Sequence, residues 1–159
     1  MLSDIHFAGA AEQQRHGFDS RVIRNPALLL AAQAWRHWVW LRDPLGHNHR
    51  LDQLLRANPD PDLVVANGDF TVDTAFVGVS DDGALASASE ALDRLRAAYG
   101  PRLLATIGDH ELGKTSLFGG AGGLRLESWR RCREVLQLEP VWRRDVGPWT
   151  LMGIASTPV

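Results

Sequence analysis

Cysteine and lysine are nearly missing from this chain, which has one of each, Cys132 and Lys114, among 159 residues. A single cysteine excludes an intramolecular disulfide and a thiolate zinc site, and it suits a reducing compartment. Long apolar runs are missing too. The nearest, Ala27 to Leu41, is broken by Gln33, Arg36 and His37 and falls short of the ~20 residues that cross a bilayer. The first residues lack the basic start and apolar stretch of a secretory leader, so the expected location is cytoplasmic. An excess of positive charge is also lacking. The net charge is −2, which excludes a chain that holds nucleic acid mainly through counterion release, and there is no strong nucleic-acid signal. Finally, no histidine follows His110.

What is present describes a globular chain. A hydrophobic share of 45% with 23% charged residues excludes disordered and collagen-like sequences. A single domain over residues 1–159 would bury roughly 70% of its unfolded surface without disulfide or structural zinc. Ala27 to Leu41 reads as a helix, with Asn25 to cap it, Pro26 at its first position and Asp43-Pro44 to end it. Leu28, Ala31, Trp35, Trp38 and Leu41 recur at helical spacing, which suits a helix covered on two sides or, in a second reading, one that meets a membrane surface or a partner.

The rest alternates. Leu63 to Ala66 and Leu103 to Ile107 are short β-branched runs that end in Gly-Asp loops, as buried parallel strands do. Between them Ala84 to Tyr99 reads as an amphipathic helix stopped by Gly100-Pro101, and Leu124 to Leu138 is a second after a glycine-rich loop. Val141 to Asp145 and Trp149 to Ala155 read as strands around a Gly147-Pro148 turn. Helix and strand in alternation predict a layered α/β fold.

The strand ends carry chemistry. Asp4 and His6 in Ser3-Asp4-Ile5-His6 stand two apart, so an extended segment would aim both at one ion. Asn67-Gly68-Asp69-Phe70 and Gly108-Asp109-His110-Glu111 follow the two strands. Carboxyl ends of strands in an open α/β sheet converge on one crevice, where three carboxylates and two imidazoles would repel without a cation. Oxygen donors with imidazole suit manganese, iron or zinc. Each motif alone also fits a surface cap or a turn.

In this order the three motifs resemble the calcineurin-like metallophosphoesterases. Their pattern runs from DxH through GD, with an acidic or polar residue soon after, to GNH followed by Asp or Glu, then a later His and a final GHxH. The resemblance implies a layered α/β/β/α fold and two divalent metal ions, with hydrolysis of a phosphomonoester or phosphodiester by metal-bound hydroxide. Asp4 and His6 would bind the first metal, Asp69 would bridge, and Asp109 would bind the second where the family has Asn. His110 would donate a proton to the leaving oxygen or stabilise the transferring phosphoryl group. Asp109 adds negative charge beside an anionic substrate, and Lys114 is the candidate to offset it on the substrate side, with an exposed loop lysine as the other reading. The later ligands do not follow His110. The expectation is therefore the first portion of a larger domain, incomplete at the C-terminus and with a shortened first strand at the N-terminus.

Several residues admit other readings. Asp73 is a site residue or a turn cap, and Gly46-His47-Asn48-His49 is a polar loop leading into a helix or a displaced ligand pair. Residues 108–115, GDHELGKT, satisfy the phosphate-cradling GxxxxGK[ST] pattern and give an alternative nucleotide-binding reading with Lys114 and Thr115. Another alternative is a catalytically incompetent chain that binds metal or a partner. Cys132 lies between Arg131 and Arg133, which would lower its pKa. The arginines at 125, 130, 131, 133, 143 and 144 form a solvated helix and strand surface or a basic face.

Overall fold

The computed structural model describes residues 1–21, 23–39, 43–57, 60–114 and 122–156. In chain order the elements are α1 (Ala10–Gln13), α2 (Pro26–Trp38), α3 (Asn48–Ala57), β1 (Val64–Ala66), α4 (Asp82–Tyr99), β2 (Leu103–Ala105), α5 (Asp109–Leu112), α6 (Leu126–Glu134), β3 (Val141–Val146) and β4 (Trp149–Ile154). The architecture is α/β, as expected.

β1 and β2 run parallel, with Val64, Val65 and Ala66 opposite Leu103, Leu104 and Ala105. The N-terminal segment lies along the other side of β1. Leu2 N–H donates to Val65 O at 2.7 Å, and further on Phe7 N–H donates to Phe70 O at 2.8 Å. Three parallel stretches therefore end side by side, and each of the three motifs sits at such an end.

α4 is the crossover that makes β1 and β2 parallel neighbours. Asp81 caps it by accepting from Ala84 N–H at 3.0 Å, and Gly100 ends it at φ +54°, followed by Pro101. Its inner face is built of small and aliphatic residues: Ala84, Ala88, Ala91, Leu92 and Leu95 are all fully buried. The small side chains let it lie close to the sheet, where it shares a core with Phe7, Val64, Phe70, Ile107 and Leu112. α6 closes that core with Cys132, and Leu136 and Leu138 extend it past the helix end.

Two expectations change. The helix predicted over 27–41 begins at Pro26 and is described as far as its C-cap, Val39, while Trp40 and Leu41 lie outside the described residues. None of its residues is buried, which overturns the reading of a helix covered on two sides. Apolar spacing marks a face but does not say what meets it. The helix predicted over 124–138 spans only Leu126–Glu134, because the chain turns at Gln137 with φ +53° and Leu138 N–H closes back on Cys132 O at 2.9 Å.

β3 and β4 form an antiparallel hairpin in which Val146 pairs with Trp149. Gly147 at φ +56° followed by Pro148 meets the demands of a two-residue turn. Among the described residues no helix is long and apolar enough to cross a membrane.

Candidate metal centre

His6, Asp69 and His110 converge. One ligand atom from each lies within 4.8 Å of the other two, and the two imidazole rings are 4.3 Å apart between centroids. The three come from three different segments, His6 and Asp69 from loops and His110 from the first turn of α5, so the parallel arrangement of the stretches before them brings them together.

Glycine makes the approach of the loops possible. A side chain on Gly68, at φ +82°, would collide with the Gly108 backbone, and one on Gly108 would strike the Asp69 carboxylate. The two Gly-Asp motifs nest against one another. Asp4, His6 and Asp69 adopt left-handed φ values of +54°, +45° and +56°. Such conformations cost about 1–3 kcal/mol each in a non-glycine residue and persist where the surroundings over-determine them. They also correct the expectation of an extended DxH: the backbone twists at both residues. Asp4 stands at the rim with its side chain 66% exposed, its Oδ1 3.6 Å from His6 Nε2.

Glu111 pins the arrangement. Fully buried, it accepts from the backbone N–H groups of Asp69 at 2.8 Å, Phe70 at 2.7 Å, Thr71 at 3.3 Å and Gly108 at 2.9 Å. Burial and the neighbouring Asp69 push its carboxyl up to about 7, against the pull of those donors. Glu12, from α1, has a similar role in the next loop along. It is fully buried and accepts from Thr71 Oγ1 at 2.7 Å, Thr74 N–H at 2.8 Å and Thr74 Oγ1 at 2.9 Å. Sequence reasoning missed both as structural residues. The position of Glu111 three residues past Gly108, in the first turn of α5, was the only signal.

The imidazoles are held neutral. Burial and the Lys114 charge lower His6, and burial, Lys114 and His6 bring His110 down to about 2. His110 Nδ1 lies 2.9 Å from Val72 O, an acceptor only, so Nδ1 carries the proton and Nε2 keeps its lone pair. Asp69 is pushed up to about 6 by burial and by the Asp109 carboxylate, with the His110 N–H, 3.3 Å from its Oδ1, opposing. Asp109 is thus close to Asp69 but outside the trio. Lys114 is half-buried, and its charge acts on His6, Asp69 and His110 alike.

The remaining candidates fall elsewhere. Asp73 caps a turn: its Oδ1 accepts from Val77 N–H at 3.1 Å and Gly78 N–H at 3.0 Å. His47 and His49 lie 5.9 Å apart between rings at the start of α3, outside the trio. Asn48 between them clamps the chain just after His6, exchanging two hydrogen bonds with the Ala8 backbone at 2.9 and 2.8 Å. The phosphate-cradle geometry of residues 108–115 is absent from its described part, since Gly108 N–H is taken by Glu111 and Gly113 N–H by Asp109 O; Thr115 lies outside the described residues. Cys132 is fully buried in apolar surroundings that raise its thiol pKa, so the expected lowering by its arginine neighbours is overturned. Beside the trio opens a groove of about 530 Å³ lined by Asn67, Asp69, Asp109, Trp142, Met152 and Ile154.

Loops at the carboxyl ends of parallel strands that carry a histidine-carboxylate cluster define an α/β protein with a metal-binding character. A family model described as calcineurin-like phosphoesterase matches residues 1–156, and the chain belongs to that family. Comparison with curated proteins and with solved structures returned no match.

Proposed function

We propose that this chain is a metal-dependent phosphoesterase whose centre is built on His6, Asp69 and His110. Family membership gives the general class, a phosphoester hydrolase that uses divalent metal. The observation that carries the specific reading is the convergence of two neutral imidazoles and a carboxylate within 4.8 Å. That donor set fits manganese, iron or zinc. A divalent cation there supplies Lewis acidity toward phosphoryl oxygens and acidifies a water.

The chain's own groups then divide the work. With Nδ1 tied to Val72 O, the Nε2 lone pair of His110 faces the trio, which favours a ligand role over the proton donation that the resemblance implied. Asp69 belongs to that cluster and also neighbours Asp109, and a second cation beside these two carboxylates would be held by Asp109 and Asp69 and would offset their repulsion. Asp4, at the rim, completes the first ligand set by a turn of its side chain. Lys114 supplies the positive charge that holds the substrate phosphate. Glu111 orders the Asp69 loop without touching substrate.

A second reading has one observation in its favour. Among the described residues only one group of three metal-ligating side chains forms, which suits a chain that binds a single ion and does not turn over. Metal analysis of the purified chain, with hydrolysis of p-nitrophenyl phosphate and bis(p-nitrophenyl) phosphate, separates the two. Two ions per chain and activity that falls at least about hundredfold in Asp69→Ala are expected, since metal-based charge stabilisation amounts to several kcal/mol. Activity retained in that variant overturns the site, and one ion without turnover establishes the second reading.

A further inference from the structure

Glu12 is a fully buried carboxylate that lies outside the trio. Burying a charge is a poor way to gain stability, since a well-packed apolar group of similar volume often does as well or better. Where Glu12 sits is therefore the informative part. It belongs to α1, and α1 is fastened to α4 at small residues: Gly9 N–H donates to Ser87 Oγ at 2.9 Å, and Ala11 lies against Gly83. The countercharge comes from Arg15, whose guanidinium pairs with Asp81, donates to Thr74 Oγ1 at 3.3 Å and interacts with Glu12 through its charge.

Glu12 fastens one short stretch at both ends. Its Oε2 accepts from Thr71 Oγ1, and its Oε1 accepts from both Thr74 N–H and Thr74 Oγ1. Val72 lies between those anchors, and its carbonyl accepts from His110 Nδ1 at 2.9 Å. The neighbouring Thr71 carbonyl acts on His6 and His110 alike. A neutral imidazole carries one N–H and can ligate a metal only through its other nitrogen. Were the Val72 carbonyl to turn away, His110 would be free to take the Nε2–H form that imidazole side chains favour in water, and the nitrogen that faces the trio would be blocked.

We propose that Glu12 is a positioning residue for the metal centre: by holding Thr71 and Thr74 it aims the Val72 carbonyl at His110 Nδ1 and so keeps Nε2 unprotonated for a metal ion. Groups that orient a ligand without touching the metal typically carry about 10–100-fold in metal affinity. That the free nitrogen serves a metal rests on the function proposed above, whereas the tautomer of His110 is a property of the chain alone.

Two measurements on the full chain test this. Long-range proton–nitrogen NMR of the chelator-treated protein reads the His110 tautomer, and titration with manganese(II) reads affinity. The parent should show Nδ1–H. Glu12→Ala should shift His110 toward Nε2–H and weaken manganese binding by about 10–100-fold. Glu12→Gln keeps an acceptor for Thr74 and a polar group for Thr71, so it should restore the parent tautomer and most of the affinity. Leu92→Ala loosens the same core away from Glu12 and should leave the tautomer unchanged. If Glu12→Ala does not fold, Thr74→Val, which deletes one of the three bonds to Glu12, carries the test with a smaller change of the same sign. A parent-like tautomer in the Glu12→Ala or Thr74→Val protein, or an equal shift in Leu92→Ala, would overturn the proposal. A parent that binds no manganese would instead overturn the metal centre, and the tautomer comparison would still decide what Glu12 does.

Discussion

Helices α2 and α4 both carry an apolar face, and they differ in what that face meets. α4 presents alanine and leucine to the core it shares with the strands and buries eight residues. α2 presents leucine and tryptophan and buries none. Size explains much of the difference. Small side chains let a helix settle on a sheet, whereas indoles hold it away unless a deep surface receives them. The histidine-carboxylate cluster follows the buried half: each residue of the trio lies just past the end of one of the parallel stretches that α4 covers. The same half holds the fully buried carboxylates Glu12 and Glu111, each satisfied by several donors. The contrast teaches that the histidine-carboxylate cluster is positioned from the α4 side, with the β3–β4 hairpin contributing Trp142, Met152 and Ile154 to the groove beside it and α2 taking no part.

The strongest way to break that contrast is Glu111→Ala. Four backbone N–H groups would lose their acceptor in a dry interior, at a cost on the order of 4 kcal/mol or more. Urea unfolding measures it, and metal affinity should fall with it because the Asp69 loop loses its pin. A loss below about 1 kcal/mol would mean that the loop holds its own shape. Next comes a paired truncation. Leu92→Ala on α4 empties space in a closed core and should cost about 2–5 kcal/mol. Leu28→Ala on α2 removes an exposed side chain and favours the helix intrinsically, so it should stay within about 0.5 kcal/mol. Equal losses would erase the distinction between the helices.

The sequence made some of this legible and left the rest unreadable for physical reasons. Asn25-Pro26, Gly100-Pro101 and Gly147-Pro148 marked element ends because capping and turn chemistry are local. The meeting of the three motif segments was legible from their order, each at the end of an extended run, although Gly-Asp after a strand also fits a simple turn. Glu111 and Glu12 were opaque, since a carboxylate that folds back on main-chain donors leaves no periodic trace. The left-handed φ values at Asp4 and His6 were equally hidden, as no glycine announces them. The exposure of α2 could not be read at all, because amphipathic spacing looks the same whether its partner is a sheet or a lipid surface.

A further effect sharpens the buried side of the comparison through pH. Asp73 is buried, and its carboxyl is pushed up to about 7, chiefly by burial, with the Gly78 and Val77 N–H groups opposing. Its Oδ2 makes no hydrogen bond of good geometry. The folded pKa lies above the ordinary 3.8, so between those values the folded state holds a proton that the unfolded chain releases. The stability that Asp73 contributes is therefore greatest below about pH 4, falls as pH rises toward 7 and levels off beyond it, by linkage. The fall should be up to about 4 kcal/mol. Asp73→Asn keeps an oxygen for Val77 and Gly78, tolerates the left-handed backbone at φ +54°, and cannot ionise. Urea midpoints between pH 4 and 8 should flatten in this variant relative to the parent. An unchanged slope would assign the pH dependence to other buried carboxyls on the α4 side, with Glu111 first among them.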